Sequence, residues 1–347
     1  MLSRVANSLY WMSRYIERAE SIARLVDVNL QLLLDFRNLD DATLDAHWMP
    51  IVQSSGDEVQ FRKLYPKTTG QTVTEFMVFN PDNTNSIFSS IVQARENARM
   101  VRDQVTAELW EEINRIYLFL RSARAKKEWR ESPYDFFQTI KSSSLLLQGL
   151  TDSTVVRNEG WFFIQVGRYL ERADKTSRIL DVRHASLPAR GVPVDAPNQA
   201  DALAWAAVLR SCSAWDAYKA LHGAEVHPSL IAELLLLSDD FPRSVRFSVR
   251  HLNLALRRIS GVHEGRFSNA AEKLAGRLLA ELQFSTAEDI FDVGLHTYID
   301  ITQTKLNSIG DALFQAYIFQ PFQTPDEYEL RQQEEQQQQS GPPAGLP

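Results

Sequence analysis

The string Arg-Tyr-x-Glu-Arg-Ala followed by an acid occurs twice in this chain, as Arg14–Glu20 in "SRYIERAES" and as Arg168–Asp174 in "GRYLERADK". Arginine carries a rigid fork of donors that suits a carboxylate or a phosphate. A glutamate beside it can serve as acid, base or metal ligand. On a helix advancing about 100° per residue, Glu17, Glu20, Arg24 and Asp27 share one arc. Glu20–Arg24 and Arg24–Asp27 have the spacings of intrahelical ion pairs. Arg18 falls off that arc, between Trp11, Ile22 and Leu25. The second string repeats the pattern with Glu171, Asp174, Arg178, Asp181 and the offset Arg172. Three readings are open: a solvated charged face, a partly buried ion network that docks one half on the other, and a polar site lined by both strings. In the last, Arg14, Arg18, Arg24, Arg168, Arg172 and Arg178 hold an anion with Glu171 in the same binding set, and Glu17 and Arg18 are candidates for chemistry.

A second constellation is "ARENARMVRD", Ala94–Asp103. Arg95, Arg99 and Arg102 recur three and four apart on one helix face. Glu96 and Asp103 are expected on another face, with Asn97 between. Glu96 is a further candidate acid or base. The second half has "LNLALRRIS" here, so the pattern exists once. The alternative is an amphipathic helix with a charged outer face. Third are the polar loops "FNPDNTNSI" (Phe79–Ile87) and "SDDFPRSV" (Ser238–Val245). Asn, Asp and Ser before an apolar run are helix caps first. Arg243 and Ser244 at the second loop are also placed to hold an anion at a helix start.

The elements that must position these residues are helical nearly throughout. Apolar residues recur at three and four in Leu2–Ala23, Ile87–Val101, Ile113–Leu120, Leu203–Leu209, Leu230–Leu237, Val245–Ile259, Leu274–Leu282 and Phe291–Tyr317. Proline opens helices at Ser132-Pro133 and His227-Pro228. "TVTEFMVF" (Thr72–Phe79) has strand-like residues, but its counterpart "LIAELLLL" reads as helix, so helix is expected there too. A shift of 154 lays Arg14–Asn29 on Arg168–Arg183 with half of sixteen positions identical. The offset then drifts to 157, where Trp48 and Phe61 fall on Trp205 and Tyr218. The expected fold is all-α, a tandem duplication of a multi-helix unit packed as a bundle around a shared core. Its copies span about 1–154 and 155–320, within one domain over 1–320. Leu187–Asn198 reads as an irregular connector. Residues 321–330 read as an extension and 331–347 as a disordered glutamine-rich tail.

Bulk properties exclude several classes. The net charge of −7 makes no case for nucleic acid. No apolar run approaches the roughly 20 residues of a membrane span, and no signal peptide is visible, so a cytoplasmic protein is expected. The single cysteine, Cys212, allows no disulfide or cysteine metal cluster and sits on an apolar helix. There is no GxxxxGK[ST], GxGxxG, HExxH or nucleophile-elbow serine. No cofactor or metal is expected. A homo-oligomer is compatible with the composition.

Taken together, "YWMSRYIERAESIARLVDVN", "ARENARMVRDQVTAELWEEIN" and "DFPRSVRFSVRHL" resemble the alpha-E family of bacterial proteins, over about Met1–Tyr317. That family is an all-helical domain with a Glu-Arg motif, which carries over to Glu17-Arg18 and, as an echo, to Glu171-Arg172. The chain departs from the family at "NPDNTNSI", where a tighter Asn-Pro-x-Ser string is usual. The resemblance implies partners: a circularly permuted ATP-grasp protein and a transglutaminase-like protein. It implies an accessory or binding subunit of an ATP-grasp-type peptide or amide ligase system. The alternatives are an enzyme acting on peptides or amides itself, and a purely structural interaction scaffold.

Overall fold

The computed structural model describes residues 1–34, 41–182 and 199–319. The connector expected at Leu187–Asn198, and the extension and tail beyond residue 320, lie outside the described residues. Among the described residues every regular element is helical. The first half contains α1 (Ser3–Leu34), α2 (Asp41–Ser55), α3 (Glu58–Leu64), α4 (Gly70–Thr74), α5 (Ile87–Met100), α6 (Ala107–Arg121), α7 (Ala123–Glu131) and α8 (Pro133–Thr154). The second contains α9 (Glu159–Asp181), α10 (Gln199–Ser211), α11 (Trp215–His222), α12 (Pro228–Ala232), α13 (Val245–Ser260), α14 (Ala270–Phe284), α15 (Ala287–Val293) and α16 (Leu295–Leu313). Each half also has one π-helical turn at the same place: Glu75–Phe79 runs on from α4, and Glu233–Leu237 from α12. A third, Phe314–Ile318, follows α16.

The π-turns account for the ambiguous stretch. Phe76, Met77 and Val78 are buried in succession, as are Leu234 to Leu237. A regular helix turns such a run partly to solvent. Here the run lies within the main core, where neighbouring elements cover it on every side. The other helix starts follow ordinary chemistry. Ser86, Thr106, Ser122, Ser132, Asn158, Ser244, Asn269 and Thr286 each accept from a first-turn N–H. Periodicity alone runs Phe291–Tyr317 together. The structure breaks it at Gly294, whose φ of +94° ends α15 and starts α16.

Helices α1 and α9 form the centre and run parallel. α5 and α8 pack on α1, and α13 and α16 pack on α9 in the corresponding way. The main core is shared between the halves and includes Trp48, Phe61, Trp205 and Tyr218, all fully buried. α1 and α9 touch at backbone distance. A Cβ on Gly167 would lie 2.3 Å from the Tyr10 carbonyl oxygen and 3.2 Å from the Ser13 Cβ. Only glycine permits this approach, and it sets the two Glu-Arg strings side by side.

Candidate functional site

One turn beyond that crossing, parallel helices in register bring Glu17-Arg18 against Glu171-Arg172. Each arginine forks onto the other string's glutamate. Arg18 donates to Glu171 through Nε at 2.6 Å and Nη2 at 3.1 Å. Arg172 donates to Glu17 through Nε at 2.7 Å and Nη2 at 3.0 Å. The exchange follows from charge. Register pairing sets like residues level, and only a swap places each carboxylate against a guanidinium. The loops before α5 and α13 complete both forks. Asn85 Oδ1 accepts from Arg18 Nη1 at 2.8 Å, and the Pro242 carbonyl accepts from Arg172 Nη1 at 3.3 Å.

The outer partners differ between the halves. Arg14 Nε also reaches Glu171, at 2.6 Å, while Arg14 Nη1 holds the Tyr10 hydroxyl. Its counterpart Arg168 instead reaches Asp152, at 3.3 Å. Arg243 donates to Glu20 and lies 3.7 Å from Glu17. Arg24 donates to Glu20 at 2.8 Å, and Arg178 to Asp174 at 2.9 Å. From α8, Gln148 bonds Glu17, Glu20 and Arg172, and Ser144 bonds Glu20.

The network is buried. Glu17 is 1% exposed, and Glu20 and Glu171 are 0%. Burial alone would raise the Glu20 carboxyl, but Arg243, Arg24 and Arg172 bring it down to about 2. Burial likewise opposes the charge on Glu171, yet Arg18, Arg14 and Lys175 hold it well below the usual carboxylate range. Arg172 is buried too, and Glu17 keeps it firmly protonated. The cavity bordering Glu17 measures about 10 Å³, space for one water at most. The chemistry on view is mutual neutralisation between two helices.

Several sequence expectations are corrected here. Arg18 leaves α1 away from its own acidic arc, and its long side chain crosses to Glu171 on α9. Asp27 does not pair with Arg24; it accepts from Lys141 at 2.7 Å and from Gln31 at 2.8 Å. Asp181 pairs with His296 at 2.8 Å rather than with Arg178. The Glu-Arg strings are not an exposed face for a ligand, since the α1–α9 contact covers them. Arg102 and Asp103 lie beyond α5, which ends at Met100. Glu96 is not set apart from the arginines; it accepts from Arg95 and Arg99, each at 2.8 Å.

The second constellation is a separate cluster at the surface. Arg95 also bonds Asn114 at 2.9 Å and lies 4.5 Å from the Tyr117 ring centre. Asn97 donates to the Gln93 carbonyl, Arg102 to the Val105 carbonyl at 3.4 Å, and Asp103 accepts from Gln104. Among the described residues, no hydrogen bond or ion pair joins this cluster to Glu17 or Glu171. Ser86 and Ser244 cap α5 and α13 and are fully buried. Cys212 is buried, which pushes its thiol up to about 12 and leaves it unreactive. Sequence reasoning missed Asn85 as a partner of Arg18, and missed Gln148, Lys141 and Tyr10. Gln148 sits in "SSSLLLQGL", where nothing distinguishes it from a solvated glutamine.

No helix among the described residues is long and apolar enough to cross a membrane. Two uncharacterised proteins of Mycobacterium tuberculosis, strains CDC 1551 / Oshkosh and ATCC 25618 / H37Rv, are each 23% identical to the chain over 318 residues. An uncharacterised protein of Mycobacterium bovis matches equally. These matches cover 84% of this chain and 33% of each relative, so the chain spans about a third of the length of the relatives it matches. No solved structure matches. The Alpha-E family model, described as a predicted alpha-helical domain with a conserved ER motif, matches residues 1–318. The Glu-Arg pairs that α1 and α9 exchange fit that description, and the chain belongs to the Alpha-E family.

Proposed function

We propose that the chain is a helical binding subunit that serves a companion enzyme, of the ATP-grasp type that the family resemblance implies, with a transglutaminase-like protein as a further partner. The observation that carries this reading is the length of the relatives, in which the matched domain is one third of a longer chain. A domain joined to other parts works with them. The interior of the Glu-Arg site supports a scaffolding role: its carboxylates are committed to arginines and its cavity has no room for a substrate. An independent peptide or amide enzyme built on Glu17 finds no support in that geometry. Glu96, at the surface, is tied to two arginines. The face around Arg95, Glu96, Asn97 and Arg99 is the proposed contact for the partner.

The matching order of eight helices and one π-turn supports reading residues 1–154 and 155–320 as two copies of one plan. The subunit reading is tested by sedimentation of the purified chain with the ATP-grasp protein of the same cell. A stable complex, weakened by Arg95→Glu, is the expected result. Two species that sediment independently at micromolar concentration would remove the reading.

A further inference from the structure

An open cavity of about 760 Å³ lies away from the Glu-Arg network. It is formed by the later turns of α13, the turn Gly261–Glu264 and the end of α14. Its volume falls within the range of sites for small organic ligands. Arg250, Arg257, Arg258, His251 and His263 line it, against Glu264 as the one lining acid. Arg250 is answered by Asp239 at 3.2 Å, which stands outside the lining. Among the described residues, Arg257 and Arg258 have no ion-pair partner.

The first half shows what is missing. Counted from the capping serines Ser86 and Ser244, Arg257 stands where Arg99 does, Leu254 where Glu96 does, and Asn253 where Arg95 does. Arg99 has Glu96 at 2.8 Å. Arg257 has the partly exposed Leu254 in place of that acid. Arg95 fills its half by lying over Tyr117 and bonding Asn114. Asn253 is shorter, is 7% exposed, and leaves its Oδ1 buried with no hydrogen-bond partner. A buried acceptor without a donor is costly and is the exception in folded proteins. His251, which lines the cavity, offers an acceptor. Its Nδ1 is 2.9 Å from the Phe247 carbonyl, which only accepts, so Nδ1 carries the proton and Nε2 the lone pair. The end of a helix accounts for basic residues in its last turn. It does not account for an open cavity and two arginines without a counter-charge at one place.

We propose that this α13–α14 cavity is a binding site for a small phosphorylated organic molecule, with Arg257 and Arg258 on the phosphoryl oxygens. Arginine forks match phosphate in shape and charge. The site is independent of the partner reading above, since it shares no residue with the Arg95–Arg99 face.

The test is titration calorimetry of the full chain with inorganic pyrophosphate. The variants are Arg257→Gln/Arg258→Gln and a control of equal charge change, Arg4→Gln/Arg210→Gln, whose residues do not line the cavity. The expected result is saturable binding to wild type and control, weakened roughly tenfold or more in the cavity variant. All three chains should give the same circular dichroism, because Arg257 and Arg258 hold no partner. No binding to wild type, or equal binding to all three, overturns the proposal. Tighter binding of acetate than of pyrophosphate also overturns it, because the site would then be one for carboxylates.

Discussion

At the scale of the residue, the decisive fact is that Glu171 pairs with both Arg14 and Arg18 inside the protein. A buried ion pair adds little on balance, but loss of one partner leaves a charge without compensation, at a cost of about 3–5 kcal/mol. Glu171→Ala is expected to lose stability in that range by urea unfolding at pH 7. Glu96→Ala, which removes a half-exposed pair, is expected to lose at most about 1 kcal/mol. Equal small losses at both positions would mean that the network is solvated. Acid should undo the same contacts. Glu20 ionises at about 2 in the folded chain against an ordinary value of 4.5, and Glu171 is also depressed. A depressed carboxyl contributes stability above its unfolded pKa and loses that contribution as pH falls toward its folded pKa. The melting temperature should therefore hold near neutrality and fall between pH 4.5 and about 2. Glu20→Gln should start lower at pH 7 and fall less steeply. A parallel curve for that variant would remove Glu20 from the acid response.

At the scale of the element, the network exists because α1 and α9 approach closely enough for arginines to reach across. Gly167 sets that distance. An alanine there meets the Tyr10 carbonyl, a backbone atom that cannot turn aside. Gly167→Ala is expected to destabilise by about 1–3 kcal/mol despite alanine's better helix propensity. Gly149, on an exposed stretch of α8, has nothing within 4 Å of the place where an alanine methyl would stand, so Gly149→Ala should stabilise by roughly 0.5–1 kcal/mol. Denaturant midpoints of the two variants should move in opposite directions. A shift of the same sign in both would mean that propensity outweighs contact at the crossing. The π-turns also belong to this scale. Two of them hold successive buried apolar residues at the same place in each half.

At the scale of the whole molecule, the halves share one core and exchange their charges. The central carboxylates pair across the halves: Glu17 with Arg172 and Glu171 with Arg14 and Arg18, while Glu20 takes Arg24 from its own half and Arg243 from the other. Unfolding one half strands charges in the other. Calorimetry of the full chain should therefore show a single unfolding transition. Two resolved transitions would show that the halves are stable alone and that the cross-pairing contributes little. The same architecture bears on function. The outer faces of α5 and α13 differ: one carries the Arg95–Glu96–Arg99 cluster, the other an open basic cavity.

Helical period, capping serines and the repeated Glu-Arg string were legible in the sequence because each is a local pattern of residue type and spacing. They determine an all-helical chain, the starts of α5, α8 and α13, and the positions at which charge is concentrated. The sequence also held two places open: whether "TVTEFMVF" is regular helix, and whether the Glu-Arg strings face solvent, a ligand or each other. Only tertiary structure decided these. A helical wheel fixes the direction a side chain leaves its own axis, not which helix stands there or how near it comes. Arg18 left the wheel beside Trp11 and Ile22, and the approach permitted by Gly167 brought Glu171 within 2.6 Å of it. The unpaired Oδ1 of Asn253 was equally invisible, because the lack of a partner is a property of everything packed around an atom.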